Sequence, residues 1–214
     1  MPDREQEYEG RATDRVTLFS DAVVAIAITL LAIELPVPEG PTVSAFWSSV
    51  RHNDGHYAAF LISFLVIAAA WNNHHDLFRY VKRTDARLRT FNTIWLFTIV
   101  LNPFATKLLT ATGHPSLDTH ALRFGFYAVL QVLESLALLA MLKHMTSHGQ
   151  APDTPRPVLA DMGWQGWSLV AGFALSIPFF FVTNYAWLFW IAVPLLVARL
   201  RQLRHQGPSR PEDS

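Results

Sequence analysis

The stretch Arg15–Leu35, RVTLFSDAVVAIAITLLAIEL, decides how this chain is read. It is long enough to cross a bilayer as a helix, which takes about 20 mostly apolar residues. Between Val16 and Ile33 it carries a single charge, Asp21. An ionisable group inside an apolar span is costly, and it marks a functional-site hypothesis by default. From Ala22 to Ile33 the residues are Ala, Ile, Leu and Val, with one Thr29. One segment thus joins a polar cluster at one end to an apolar run at the other.

The whole chain follows the same pattern. Of its 214 residues, 51% are hydrophobic and only 16% charged, against about 25% charged in ordinary soluble domains. Its mean hydropathy is positive. The expected fold class is therefore an all-α, polytopic membrane protein. A net charge of zero gives no reason to expect a nucleic-acid partner. The absence of cysteine excludes disulfides and thiolate metal sites. The first residues, MPDREQEYEGRATD, are polar and lack a signal peptide's apolar core, so the first span is expected to be retained as an anchor.

Six segments have the length and apolarity of spans: roughly 16–35, 56–80, 88–111 (broken at Asn102-Pro103), 121–145, 164–182 and 185–203. A tight turn at 183–184 separates the last two. The organisation expected is a cytoplasmic N-terminal segment, 1–14, a six-helix transmembrane domain, 15–204, and a disordered tail, 205–214. The linker 146–163, TSHGQAPDTPRPVLADMG, is Pro-rich and reads as a cytoplasmic loop. Placing both termini inside puts all but Arg51, Lys107 and Arg123 of the 17 lysines and arginines on the inner half. That is the direction the positive-inside rule favours, and it predicts a cell inner membrane protein with cytoplasmic termini.

On a helical wheel of about 100° per residue, Ile26, Leu30 and Ile33 form one stripe, bordered by Thr29, while Asp21 lies about 140° from Ile26. The carboxylate and the stripe point in different directions. Two readings of the stripe stay open. It faces lipid or a neighbouring helix, or it lines a narrow pore in which apolar rings gate by dewetting.

Asp21 needs a partner. Arg15 lies about 9 Å earlier along the helix axis. The second span offers WNNHHDLF, Trp71–Phe78, near the depth of Asp21. Trp71, His75 and Phe78 share a face there, with His74 beside them. A histidine donating to Asp21 would satisfy both groups and brace the first helix against the second. Adjacent histidines point about 100° apart on a helix and cannot chelate one ion as an i, i+4 pair does, so no metal site is expected from His74 and His75 alone. On the third span, Asn92, Trp95, Ile99 and Asn102 form a stripe. Pro103 removes a helical hydrogen bond, and the Asn102 amide is placed to serve freed backbone groups. Glu134, with Gln131 nearby, is a second buried carboxylate, expected to be paired.

No phosphate-binding G-x-x-x-x-G-K-[ST], zinc-protease H-E-x-x-H or nucleophile-elbow G-x-S-x-G motif occurs. A TVGYG filter is also lacking, so a filter of the usual carbonyl type is not available.

Arg15-x-x-x-Phe19-Ser20-Asp21, followed at once by AVVAIAITLLAIEL, resembles the signature of the transmembrane protein 175 family of potassium channels. The six-span plan, the W-x-x-H-H run and the Asn-Pro of the third span fit as well. The resemblance implies a homotetramer in a lipid bilayer, of the bacterial, single-unit kind, with the first helix of each subunit lining the pore. It implies that Ile26 forms the narrow constriction, that Leu30 and Ile33 form layers on its extracellular side, and that Thr29 corresponds to a threonine layer of the filter. Arg15, Phe19, Ser20 and Asp21 are implied to form an inter-helix network with Trp71, His74, His75 and Asn102. The reading is a non-enzymatic cation channel passing potassium passively, with modest selectivity through a hydrophobic gate. No cofactor is expected, potassium ions being the permeant species. The alternatives are a proton- or cation-coupled secondary transporter using Asp21, Glu134 and His74/His75, and an intramembrane metalloenzyme centred on the two histidines.

Overall fold

The computed structural model describes residues 2–111, 116–183 and 185–205, and these are helical between short turns. The helices are α1 (Pro2–Ile33), α2 (Val43–His52), α3 (Asp54–Phe78), α4 (Ala86–Thr110), α5 (Leu117–Ser147), α6 (Arg156–Phe179) and α7 (Phe189–His205), with a 3₁₀ turn at Ala186–Leu188. By length and apolarity, five segments are fit to cross a membrane: Gly10–Ile33, α3, α4, α5 and Ala186–Leu203. The expected fifth span, α6, is not among them. Its N-terminal half carries Trp164, Gln165, Trp167 and Ser168 beside its glycines, which dilutes its apolarity.

Several boundaries differ from expectation for local reasons. The polar segment 2–14 continues the helix of α1, because it is rich in Glu and Arg and, after Pro2 at the first position, holds no breaker stronger than Gly10. The Pro-rich linker is shorter than expected. Pro155 sits at the N-cap of α6 and Pro157 in its first turn, where a missing N–H costs nothing, so residues 156–163 are helical. Helix α4 is not broken at Asn102-Pro103 but runs through Pro103. Helix α2, unanticipated, starts at Thr42, whose hydroxyl accepts from the Ala45 amide at 3.2 Å. Apart from His205, the expected tail lies outside the described residues, as does part of the turn at 183–184.

Helices α4 and α5 form the middle of the bundle: α1 and α3 pack on α4, and α6 packs between α5 and α7. Two apolar clusters result. One joins Val24, Ala27 and Leu31 of α1 to Ile67 and Ala70 of α3, Trp95 and Ile99 of α4, and Met141 and Met145 of α5. The other joins Phe124, Tyr127 and Leu130 of α5 to Phe173 of α6 and Trp190 of α7. Gly172 is required where α6 meets α7, since a Cβ there would lie 2.8 Å from the Phe189 carbonyl oxygen. In lipid such close packing, rather than hydrophobic exclusion, holds helices together.

Candidate functional site: a braced helix with a bare apolar stripe

Helix α1 buries one face and leaves the other open. Thr13, Ser20, Val24, Ala27 and Leu31 are buried, at spacings of seven, four, three and four that keep one stripe against α3 and α4. Ile26 (58% exposed), Leu30 (45%) and Ile33 (76%) lie on the uncovered side. Thr29 is exposed beside them and turns its hydroxyl back to the Ile26 carbonyl at 2.8 Å.

The polar end of α1 is tied down by two sets of bonds. Ser20 Oγ donates to the Val16 carbonyl at 2.9 Å and accepts from Asn92 Nδ2 at 3.0 Å. Asn92 Oδ1 is 2.7 Å from His74 Nε2. An amide oxygen only accepts, so Nε2 carries the proton. The His74 ring is clamped between Trp95 (centroids 4.1 Å apart) and Phe78 (4.3 Å). Separately, the Trp71 indole Nε1 donates to Asp21 Oδ1 at 2.8 Å.

The donor to Asp21 is therefore Trp71, not a histidine. His75 is exposed and only tilts against the Trp71 ring at 5.7 Å, while His74 reaches α1 through Asn92 and Ser20. The inward face of α3 here is Ala70, His74, Leu77 and Phe78 rather than Trp71, His75 and Phe78. Arg15 and Phe19 share the open side of α1 with Ile26. Asn92 is the link that sequence reasoning placed on the right stripe without giving it this role.

Asn102 belongs to a different cluster. Its Nδ2 donates to the Thr98 carbonyl (3.1 Å) and to Glu134 Oε2 (2.9 Å), and its Oδ1 accepts from Gln131 Nε2 (2.6 Å). The carbonyl that Pro103 leaves without its usual donor is that of Ile99, so the amide serves the position before it. Thr106 Oγ1 donates to Ser63 Oγ at 2.7 Å, and Ser63 pairs with the Tyr127 hydroxyl at 3.1 Å. This cluster couples α3, α4 and α5, and none of its hydrogen bonds among the described residues runs to α1. Among the described residues, no three or more His, Asp or Glu side chains converge as metal ligands would.

At one end of the bundle, two loops are latched together. The Lys82 amide donates to the Gln150 carbonyl at 2.9 Å, and Lys82 also pairs with Asp153. Asp85 caps α4 by accepting from the Leu88 amide at 2.7 Å and pairs with His144 at 2.8 Å.

Long apolar helices, stitched by buried polar side chains and with one apolar stripe bare, define the chain as a multi-pass membrane protein. The family model of the endosomal/lysosomal potassium channel TMEM175 matches residues 15–103, which hold Ser20, Asp21, Trp71, His74 and Asn92. A potassium channel of Streptomyces collinus is 35% identical over 139 residues, 65% of this chain and 67% of that one. A potassium channel of Chamaesiphon minutus is 42% identical over 103 residues, 47% of this chain and 51% of that one, so this match spans about half of the relative. The crystal structure of a lysosomal potassium-selective channel TMEM175 homolog from Chamaesiphon minutus superposes with a TM-score of 0.70 at 28% identity, covering 92% of this chain and 100% of that one. The chain belongs to the TMEM175 family, a family of ion channels and not of enzymes.

Proposed function

We propose that this chain conducts potassium passively, as a homotetramer whose four α1 helices surround the pore. The observation that carries the reading is the division of α1: one face locked to α3 and α4, the other a bare stripe of Ile26, Leu30 and Ile33. A bare stripe on a helix held this firmly suits a constriction better than it suits lipid, since contact with lipid would not require the helix to be fixed in rotation. The relatives named as potassium channels support the choice of ion.

In this reading Ile26 forms the narrowest ring, and Leu30 and Ile33 form layers beyond it, with Thr29 bordering the path. Apolar rings offer no oxygens to replace an ion's water, so selectivity is modest and rests on dehydration cost and pore width. Arg15 and Phe19, on the same open side, meet the neighbouring subunit. Helix α6 serves as the sixth span, shielded between α5 and α7, so that both termini lie on the cytoplasmic side of a cell inner membrane.

Purified protein in liposomes tests the reading. Potassium uptake down its gradient, without a proton or sodium requirement, is the expected result. Uptake that depends on a counter-ion gradient would select a coupled transporter instead. In bi-ionic recordings, Ile26→Asn is expected to move the potassium-over-sodium permeability ratio toward unity, and an unchanged reversal potential would remove Ile26 from the constriction.

A further inference from the structure

We infer that the cavity bounded by α3, α5, α6 and α7 is a binding site for a lipophilic amine. The cavity measures about 320 Å³ and lies away from the α1 stripe. Its size suits a small ligand, near the lower end of the range for such pockets. Its mouth is lateral: Leu65 of α3 and Ile191 of α7, both exposed, stand on either side. An occupant therefore enters from the acyl region of a bilayer rather than from water.

The floor specifies the head group. Glu134 and Gln131 both line the cavity, and each is anchored to Asn102 through one atom. Among the described residues, no donor reaches the second carboxylate oxygen of Glu134 or the amide oxygen of Gln131. Both are acceptors, and the Ser135 hydroxyl lies beside them. A purely apolar occupant would leave these oxygens unpaired at a cost. An anionic head would be repelled by them. An ammonium brings three donors to a floor of acceptors. The walls suit the same cation, because Phe173, Trp187 and Trp190 present aromatic rings.

Depth decides between sources of the ammonium. Glu134 lies about 20–25 Å along α5 from either end of that helix at 1.5 Å per residue. The head of an ethanolamine phospholipid stays at the membrane surface and does not reach that level. The occupant is a free amine carried on an apolar body.

Glu134 and Gln131 lie beyond the residues that the family model matches. Their shared partner Asn102 sits on α4, the helix whose Asn92 holds Ser20 of α1. Occupancy thus bears on the helix that braces α1. The binding itself does not depend on conduction, so its test stands apart from the flux assay.

The test is equilibrium binding of radiolabelled phenylbutylamine to wild-type protein in nanodiscs, with empty nanodiscs as reference and phenylbutanol as the neutral competitor. Saturable binding is expected, with phenylbutanol at least tenfold weaker. Glu134→Gln is expected to weaken the amine at least tenfold. Ala69→Phe, which fills the cavity from an exposed position, is expected to abolish binding and keeps the question decidable if Glu134→Gln does not fold. Uptake no greater than that of empty nanodiscs, equal affinity for amine and alcohol, or unaltered binding to either folded variant would overturn the inference. So would native mass spectrometry showing a retained ethanolamine phospholipid that the amine does not displace.

Discussion

The Trp71–Asp21 bond carries the first prediction at the scale of single residues. A hydrogen bond to a charged acceptor is worth about 1.5–3 kcal/mol when buried, and this one, exposed on the single chain, is worth about 1 kcal/mol. Trp71→Phe is expected to lower thermal stability in detergent by an amount of that order while leaving the permeability ratio unchanged. A shifted ratio in well-assembled protein would make Asp21 part of the ion path rather than a brace. The second prediction concerns Asp85. The Leu88 amide, with the His144 and Gln150 side chains adding to it, holds its carboxyl below the usual 3.8, at about 2. A group depressed in the folded state contributes stability above its unfolded value and loses it as pH falls through the folded one. Thermal stability is therefore expected to drop between about pH 4 and pH 2, and less steeply in Asp85→Asn, which still caps the helix but does not titrate. Equal acid sensitivity in the two proteins would place the titrating group elsewhere. Asp21 also shows what was legible. Its need for a partner and the helix supplying it follow from cost and depth. The donor does not, because an indole one turn before a histidine reaches the same carboxylate by choice of rotamer, which spacing does not fix.

At the scale of elements, the cysteine-free chain allows α1 to be scanned directly. Single cysteines at Ile26, Leu30 and Ile33 are expected to react with charged thiol reagents and to block potassium flux, whereas one at Leu65 on α3 should not block it. Block from Leu65 alone would move the pathway off α1. Gly172 makes a different prediction. A Cβ close to the Phe189 carbonyl forces α6 and α7 apart, and overpacking of this kind costs about 1–3 kcal/mol. Gly172→Ala is expected to lower stability by that order, measured by unfolding in detergent. Long apolar periodicity made the spans visible. The start of α6 was hidden because two prolines read as a loop, although proline in a first turn begins a helix. Helix α2 was hidden because its ten residues are too short to cross a bilayer, although Val43, Phe46, Trp47 and Val50 stand at helical i, i+3, i+4 and i+7 spacing. Asn102 was grouped with the residues around Asp21 only through the family resemblance, and it does share a stripe with Asn92. Ten residues along a helix are about 15 Å, however, and that distance puts it in another cluster.

For the whole molecule, six spans require both loops of the latch and the C-terminus to face the same compartment, opposite α2. Cysteines at Asp153 and Ser48 are expected to be labelled from opposite sides of sealed cells by a membrane-impermeant reagent. Labelling of both from one side would break the three-span path through α3, α4 and α5, and a cysteine at Gln202, at the end of α7, labelled from the side opposite to Asp153 would take α6 out of the membrane. The brace around α1 has a further consequence, for the order of synthesis. Every residue in it, from Val16 to Asn92, precedes α5. A ribosome that has released the chain only as far as α4 has already delivered each donor and acceptor needed to close Ser20, Asn92 and His74 into a chain of bonds and to join Trp71 to Asp21. The helix with the bare stripe can thus be set in its rotation before the second half of the bundle exists. Later helices then dock against a finished unit, and a defect in them would leave a correctly turned α1 in a poorly supported protein.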